Sequence, residues 1–165
     1  MKNVHKSVML NEVISFIPKD KSINVIDATF GGGGYSRAIL SKFNVSELLA
    51  IDRDPISQVL SRDIKSKYLN FSLVNDRFSR IDKIVKESNL LNKKFDIILY
   101  DLGTSSNQID NSVRGFSFNH EGPLDMRMGQ SKLNAFEIVN NYDEKNLSNI
   151  IYKFGEERYS RIIAK

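Results

Sequence analysis

Four carboxylates each follow a short apolar run: Asp27 after INVI, Asp52 after ELLAI, Asp76 after NFSLVN and Asp101 after FDIILY. The first stands just ahead of four consecutive glycines, in the stretch DATFGGGGYSRAIL. Glycines at such a point let the backbone turn sharply and approach a ligand closely, and a helix starting behind them offers free N–H groups. Taken alone, they suit a plain turn that packs a helix on a sheet equally well. A dinucleotide signature G-x-G-x-x-G would need its third glycine at position 36, where Ser36 stands. Asp52 shifts the balance, because a carboxylate at the end of a second strand can accept hydrogen bonds from both hydroxyls of a ribose and would repel a 2′-phosphate. Asp54 is the better candidate to cap the helix that follows. Asp76 and Phe78 fall where an adenine could be hydrogen-bonded and stacked, although the residue type alone favours a core position for Phe78. Asp101 could orient an amine or accept its proton, or could cap the next loop. Glycine loop, ribose carboxylate and adenine edge together suit S-adenosylmethionine as readily as NAD.

These groups need a scaffold that brings them to one edge. INVIDAT (23–29), ELLAIDRD (47–54), NFSLVND (70–76) and FDIILYDLG (95–103) read as strands, the first, second and fourth apolar on both faces. Between them lie helical patterns: SRAILSKF (36–43), PISQVLSRDI (55–64) with Pro55 in its first turn, and one opening at Ser79. A further helix precedes them, capped by Ser7 and stopped by Pro18. Alternation of this kind predicts an α/β fold with a parallel sheet and right-handed crossovers. Ligands of such sheets lie beyond the carboxyl ends of the strands, where all four aspartates fall. After Gly103 the sequence turns polar and irregular, then helical again at LNAFEIVNNY, NLSNIIYKF and EERYSRIIAK. We expect two regions, residues 1–105 and 106–165. Four strands are few for a doubly wound sheet and the last helical pattern has no stop signal, so we expect the N-terminal part of a longer protein.

Composition narrows the function classes. The chain has 165 residues, 41% of them hydrophobic, and no cysteine. Disulfides and thiolate metal sites are therefore excluded. With His5 and His120 isolated, no metal site is expected. No apolar run is long enough to span a bilayer, and the N-terminus lacks a signal-peptide core. A cytoplasmic protein is the default expectation. Net charge is +4, and all of the excess lies in residues 1–105, with 16 Lys/Arg against 12 Asp/Glu. That permits a polyanionic partner without requiring one.

The motifs together resemble one family. HKSVMLNEVI (5–14), DATFGGGGYS (27–36), AIDRDP (50–55), YDLGTSSNQID (100–110), RGFSFNHEGPLDMRM (114–128) and YKFGEERYSRIIAK (152–165) are similar to segments of the bacterial ribosomal RNA small subunit methyltransferase H family, and they run in order over nearly the whole chain. RGFSF followed by GPLDMRM is the most specific pair. The resemblance implies a class I, Rossmann-like methyltransferase domain using S-adenosylmethionine, with a helical substrate-recognition domain inserted after the fourth strand. Its implied substrate is the exocyclic N4 of a cytosine in 16S rRNA of the small ribosomal subunit. Family members are about twice this long, so the later strands and part of the inserted domain would be missing. By residue-wise matching, the cofactor contacts fall on Gly33, Gly34, Tyr35, Asp52, Phe78, Asp101 and Gln108. The family usually carries histidine where this chain has Tyr35, so a backbone N–H contact there survives better than a proton-accepting side chain. DLGT replaces the D/N-P-P-Y/F loop of other amino-methyltransferases, so their aromatic platform is absent.

The expected chemistry places Asp101 beside the reacting amine or in contact with the cofactor only, with Ser105, Ser106 or Asn107 orienting the base. Arg114, Phe116 and Arg127 are candidate RNA contacts, because arginines interleaved with aromatics suit phosphates and bases. The residues themselves also fit a structural role, with Phe116 and Phe118 anchoring the loop in a core and Arg114 or Arg127 pairing with Asp125. Two other functions stay open at this point: a non-catalytic RNA-binding fragment and a nucleotide-dependent oxidoreductase. The oligomeric state is not legible in the sequence.

Overall fold

A computed structural model describes residues 7–165 of the chain. His5 and the first residues of the HKSVMLNEVI motif lie outside the described residues. The described chain falls into two compact units, one reaching to Asn107 and the other running from Gln108 to Lys165.

The first unit is built on four strands, β1 (Ile23–Asp27), β2 (Val45–Ile51), β3 (Phe71–Val74) and β4 (Ile97–Leu99). They form one parallel sheet in the order β3-β2-β1-β4. The register sets Asp27 opposite Ala50 on β2 and Leu99 on β4. Side chains alternate between the two faces of each strand, so β1 divides its residues between two cores. Ile23 and Val25 join Leu48, Ala50, Phe71 and Leu73 on one face, under Ile14, Tyr35, Ile39 and Ile64. Ile26 joins Leu49 and Ile51 on the other, under Ile84 and Leu90. The covering helices are α1 (Leu10–Ser15), α2 (Gly34–Lys42), α3 (Ile56–Leu60), α4 (Arg62–Lys67) and α5 (Ile81–Glu87).

Three expectations change here. Ser7 does not cap α1. Met9 holds that place with φ of +50°, and Ser7 is instead buried. The single helix expected over 55–64 is two, α3 and α4, meeting at the fully buried Ser61. The fourth strand is not buried on both faces. β4 bonds only β1 among the described residues and forms an edge, leaving Ile98 half exposed and Leu102 mostly exposed.

The boundary falls within the short helix α6 (Ser106–Ile109), and the second unit then holds α7 (Ala135–Asn141), α8 (Glu144–Gly155) and α9 (Ser160–Ala164). Its helix starts follow from the sequence. Asn134 and Glu137 form a reciprocal capping box on α7, and Asp143 accepts the Asn146 N–H at the start of α8. Among the described residues no helix is long and apolar enough to cross a membrane.

Candidate functional site

The site is assembled at the carboxyl ends of β1, β2 and β4. Asp27, the last residue of β1, is buried. One of its oxygens accepts the Ser36 hydroxyl at 2.7 Å and the other the Thr29 N–H at 3.3 Å. Ser36 is itself fully buried in the first turn of α2. Its hydroxyl thus ties the helix to the strand where a dinucleotide loop would have a glycine.

The four glycines are not equivalent. Gly33 has φ of +78°, and a Cβ there would stand 2.6 Å from the Phe30 ring. A Cβ at Gly34 would stand 2.0 Å from the Ser7 hydroxyl, so this glycine admits the buried serine that leads into α1. Gly31 has φ of +52° but open room, with the nearest atoms 3.9 Å away or more. The tetraglycine run therefore combines two close approaches inside the unit with one open bend at the crevice.

Asp52 stands directly after β2 and joins that bend. Its Oδ2 accepts the Gly31 N–H at 2.6 Å and its Oδ1 the Asp54 N–H at 2.8 Å. Each oxygen keeps a further lone pair. Burial pushes the Asp52 carboxyl up, while the two backbone N–H groups act the other way. Asp54 is buried and its Oδ1 accepts the Ile56 N–H at 3.3 Å, the capping role expected of it. After β3, Asp76 accepts the Arg77 N–H and pairs with Arg80 at 2.8 Å. Phe78 is not a core residue: it is 39% exposed and meets Tyr100 edge to face, ring centroids 5.5 Å apart. Asp101, beyond β4, is exposed, and its N–H donates to the Thr29 hydroxyl at 2.7 Å.

Residues 2–165 match the family described as the MraW methylase family.

The chain belongs to the MraW methylase family.

Three relatives carry the name ribosomal RNA small subunit methyltransferase H. The one from Rickettsia rickettsii (strain Sheila Smith) is 46% identical over 162 residues, 98% of this chain and 51% of its own length. The one from Rickettsia bellii (strain OSU 85-389) is 43% identical over 166 residues, 100% of this chain and 52% of its own. The one from Xanthobacter autotrophicus is 44% identical, covering 98% of this chain and 46% of its own. The chain thus spans about half the length of the curated relatives it matches.

In this member of the MraW family, Gly33, Gly34, Asp52, Phe78 and Asp101 all lie in the first unit, but Asp52 meets the glycine loop at Gly31, while Gly33 and Gly34 face Phe30 and Ser7. Tyr35 turns the other way. Its ring is buried under α1 and its hydroxyl donates to the Val8 carbonyl. Burial raises its pKa. Ser105 and Ser106 are half-buried and Asn107 is exposed. Gln108 is buried in the second unit.

Also in the second unit, Arg127 grips both oxygens of Asp125, at 2.6 to 3.1 Å. That guanidinium pulls the Asp125 carboxyl down to about 2. Arg114 donates to the Arg127 carbonyl at 2.7 Å and lies over the Phe116 ring at 5.9 Å. Phe116 is half-buried. Phe118 is fully exposed, against the expectation that it anchors this loop. Among the described residues no group of three or more histidine, cysteine, aspartate or glutamate residues is placed to hold a metal.

The sequence did not point to Thr29. Nothing local signals that its hydroxyl meets a backbone 72 residues away. A cavity of about 670 Å³ lies elsewhere, between α1, α2 and α4, lined by Leu10, Arg37, Lys42 and Tyr68 among others. It contains none of the strand-end carboxylates, so the site is assigned to the strand ends, where the chemistry-bearing groups converge.

One pH effect follows from Asp27. Burial, opposed by Ser36 and Thr29 and aided by Asp52 and Asp101, pushes its carboxyl up to about 6. The folded chain therefore holds this proton more tightly than the unfolded one, whose carboxyl titrates near 3.8. Stability from this group falls as pH rises from about 4 to about 6, by about 3 kcal/mol in total, and is level above. Asp125 acts in the opposite sense and only at lower pH. Urea unfolding of the wild type and Asp27→Asn at pH 4, 5, 6 and 7 checks this. The wild type should lose stability relative to the variant across that interval, and parallel profiles would remove the assignment.

Proposed function

We propose that this chain is the cofactor-binding portion of a methyltransferase that uses S-adenosylmethionine to modify the exocyclic N4 of a cytosine in 16S rRNA of the small ribosomal subunit. The observation that carries this reading is Asp52, a half-buried carboxylate fixed to the open glycine bend by the Gly31 N–H. The residues suit the cofactor. Asp52 retains lone pairs for two ribose hydroxyls, the bend at Gly31 has room beside it, and Phe78 offers a half-exposed ring after β3. When bound, the cofactor supplies a methyl group on a sulfonium, already a strong electrophile.

The chain's own residues bind and orient. Asp52 holds the sugar, and Gly33, Gly34 and the Tyr35 backbone shape the loop. Asp101 either receives a proton from the amine or contacts the cofactor. Ser105, Ser106 and Asn107 orient the cytosine, with Gln108 a further cofactor contact. Arg114, Phe116 and Arg127 serve the RNA. Asp125 already takes the fork of Arg127 and so holds that side chain in place. A base buried in a helix must leave its stack to reach such a pocket, which single-stranded loops permit most cheaply.

Calorimetric titration with S-adenosylmethionine and with NAD tests the cofactor. The first should bind and the second should not. NAD binding alone would overturn the reading in favour of an oxidoreductase, against which the buried Ser36–Asp27 pair already argues. Incubation with small ribosomal subunits and labelled cofactor tests the reaction. RNA bound with no label transferred would favour a binding fragment.

A further inference from the structure

The N–H of Asp101 is held in an unusual way. β1 and β4 are bonded as far as the Ala28 N–H, which donates to Leu99 O at 2.9 Å. A parallel ladder bonds one residue to the two that flank its partner. Continued by one step, it would bring the Asp101 N–H to the Ala28 carbonyl. The N–H goes instead to the Thr29 side chain, at 2.7 Å. The bond across the two strands thus passes from backbone to a hydroxyl at the point where β1 bends away into the glycine loop. Thr29 is in turn fixed from behind, since its N–H donates to Asp27, and Asp27 accepts from Ser36 on α2. Helix, strand, loop and the residue beyond β4 are thereby connected by three hydrogen bonds, two of them ending on a buried carboxylate.

We propose that Thr29 is a positioning residue: its hydroxyl fixes the backbone at Asp101, and the Asp27–Ser36 pair fixes Thr29, so that the Asp101 carboxylate is set against the glycine loop. The proposal rests on the methyltransferase reading for its consequence and on the bonding pattern alone for its geometry. Among the described residues β4, three residues long, pairs only with β1, and Asp101 lies two residues past its end and is exposed. Without an anchor, a strand end in that situation frays. Valine at position 29 keeps the branched shape and removes the acceptor. Serine keeps the acceptor.

Two measurements on the full 165-residue chain decide it. Amide hydrogen exchange at Asp101 should rise about tenfold in Thr29→Val, return to within about threefold of wild type in Thr29→Ser, and leave the Gly31 amide, held by Asp52, unchanged. Affinity for S-adenosylmethionine should fall about fivefold in Thr29→Val. It should fall no further when Thr29→Val is added to Asp101→Asn, because residues acting through one another are not additive. Unchanged exchange at Asp101, or a loss that adds in full to that of Asp101→Asn, overturns the proposal. Absence of cofactor binding by the wild type would instead sink the methyltransferase reading, and the exchange result would still decide the positioning.

Discussion

Replacing Gly33 by alanine should destabilise the first unit by about 4 kcal/mol, combining backbone strain with forced overpacking. Gly33 has φ of +78°, a region an L side chain rarely enters. The added Cβ would stand 2.6 and 2.8 Å from two Phe30 ring carbons and 2.7 Å from an Arg37 nitrogen. Neither neighbour can give way easily. Phe30 is 3% exposed, with its ring packed at 6.0 Å from that of Phe71. Arg37 is pinned by Gly32 O at 2.6 Å, Leu60 O at 3.0 Å and the Asp63 carboxylate. Gly31 is the matched control. It shares the positive φ, at +52°, but has open room, so Gly31→Ala should cost only about 1 kcal/mol of strain. Urea unfolding of both variants at one pH measures the difference. Equal losses at the two positions would show that close packing is not what reserves position 33 for glycine.

That contrast also bears on what the sequence could reveal. The tetraglycine run announces a tight bend, yet nothing in the run tells which glycine faces the crevice and which faces a buried ring. The answer depends on Phe30 and Ser7, whose contacts form only when the sheet and α1 have assembled. The strands were legible because β-branched, apolar runs of this length have few other uses, and the four aspartates were legible because each closes such a run. β4 misled for a physical reason. Its apolar residues read as burial on both faces, whereas Ile98 on β4 and Tyr100 just past it are half exposed. Phe78 misled in the same direction, since an aromatic after a strand is ordinarily core, and here it is a half-exposed partner of Tyr100. The bonds of Thr29 and Ser36 were not legible, although Ser36 stood out as a missing glycine, because a single hydroxyl carries no sequence period. Their partners, a carboxylate nine residues away and a backbone 72 residues away, are set by topology.

The second large effect belongs to Asp52. Asp52→Asn should weaken S-adenosylmethionine binding by about a hundredfold while changing stability by only about 1 kcal/mol. The carboxylate takes one backbone N–H on each oxygen, from Gly31 at 2.6 Å and from Asp54 at 2.8 Å. An amide offers one acceptor and one NH₂, so one of these two N–H groups must face a donor. That costs stability. Removal of a charge that burial disfavours works the other way, and burial is the largest influence on this carboxyl. The two contributions offset in the unliganded fold. They do not offset in the complex, where ribose hydroxyls lose a charged acceptor and the bend at Gly31 loses its anchor together. Calorimetry gives the affinity and urea unfolding the stability, on the same preparations. Affinity within threefold of wild type would show that the sugar is held elsewhere, and the strand-end carboxylate would then be only a brace for the glycine loop.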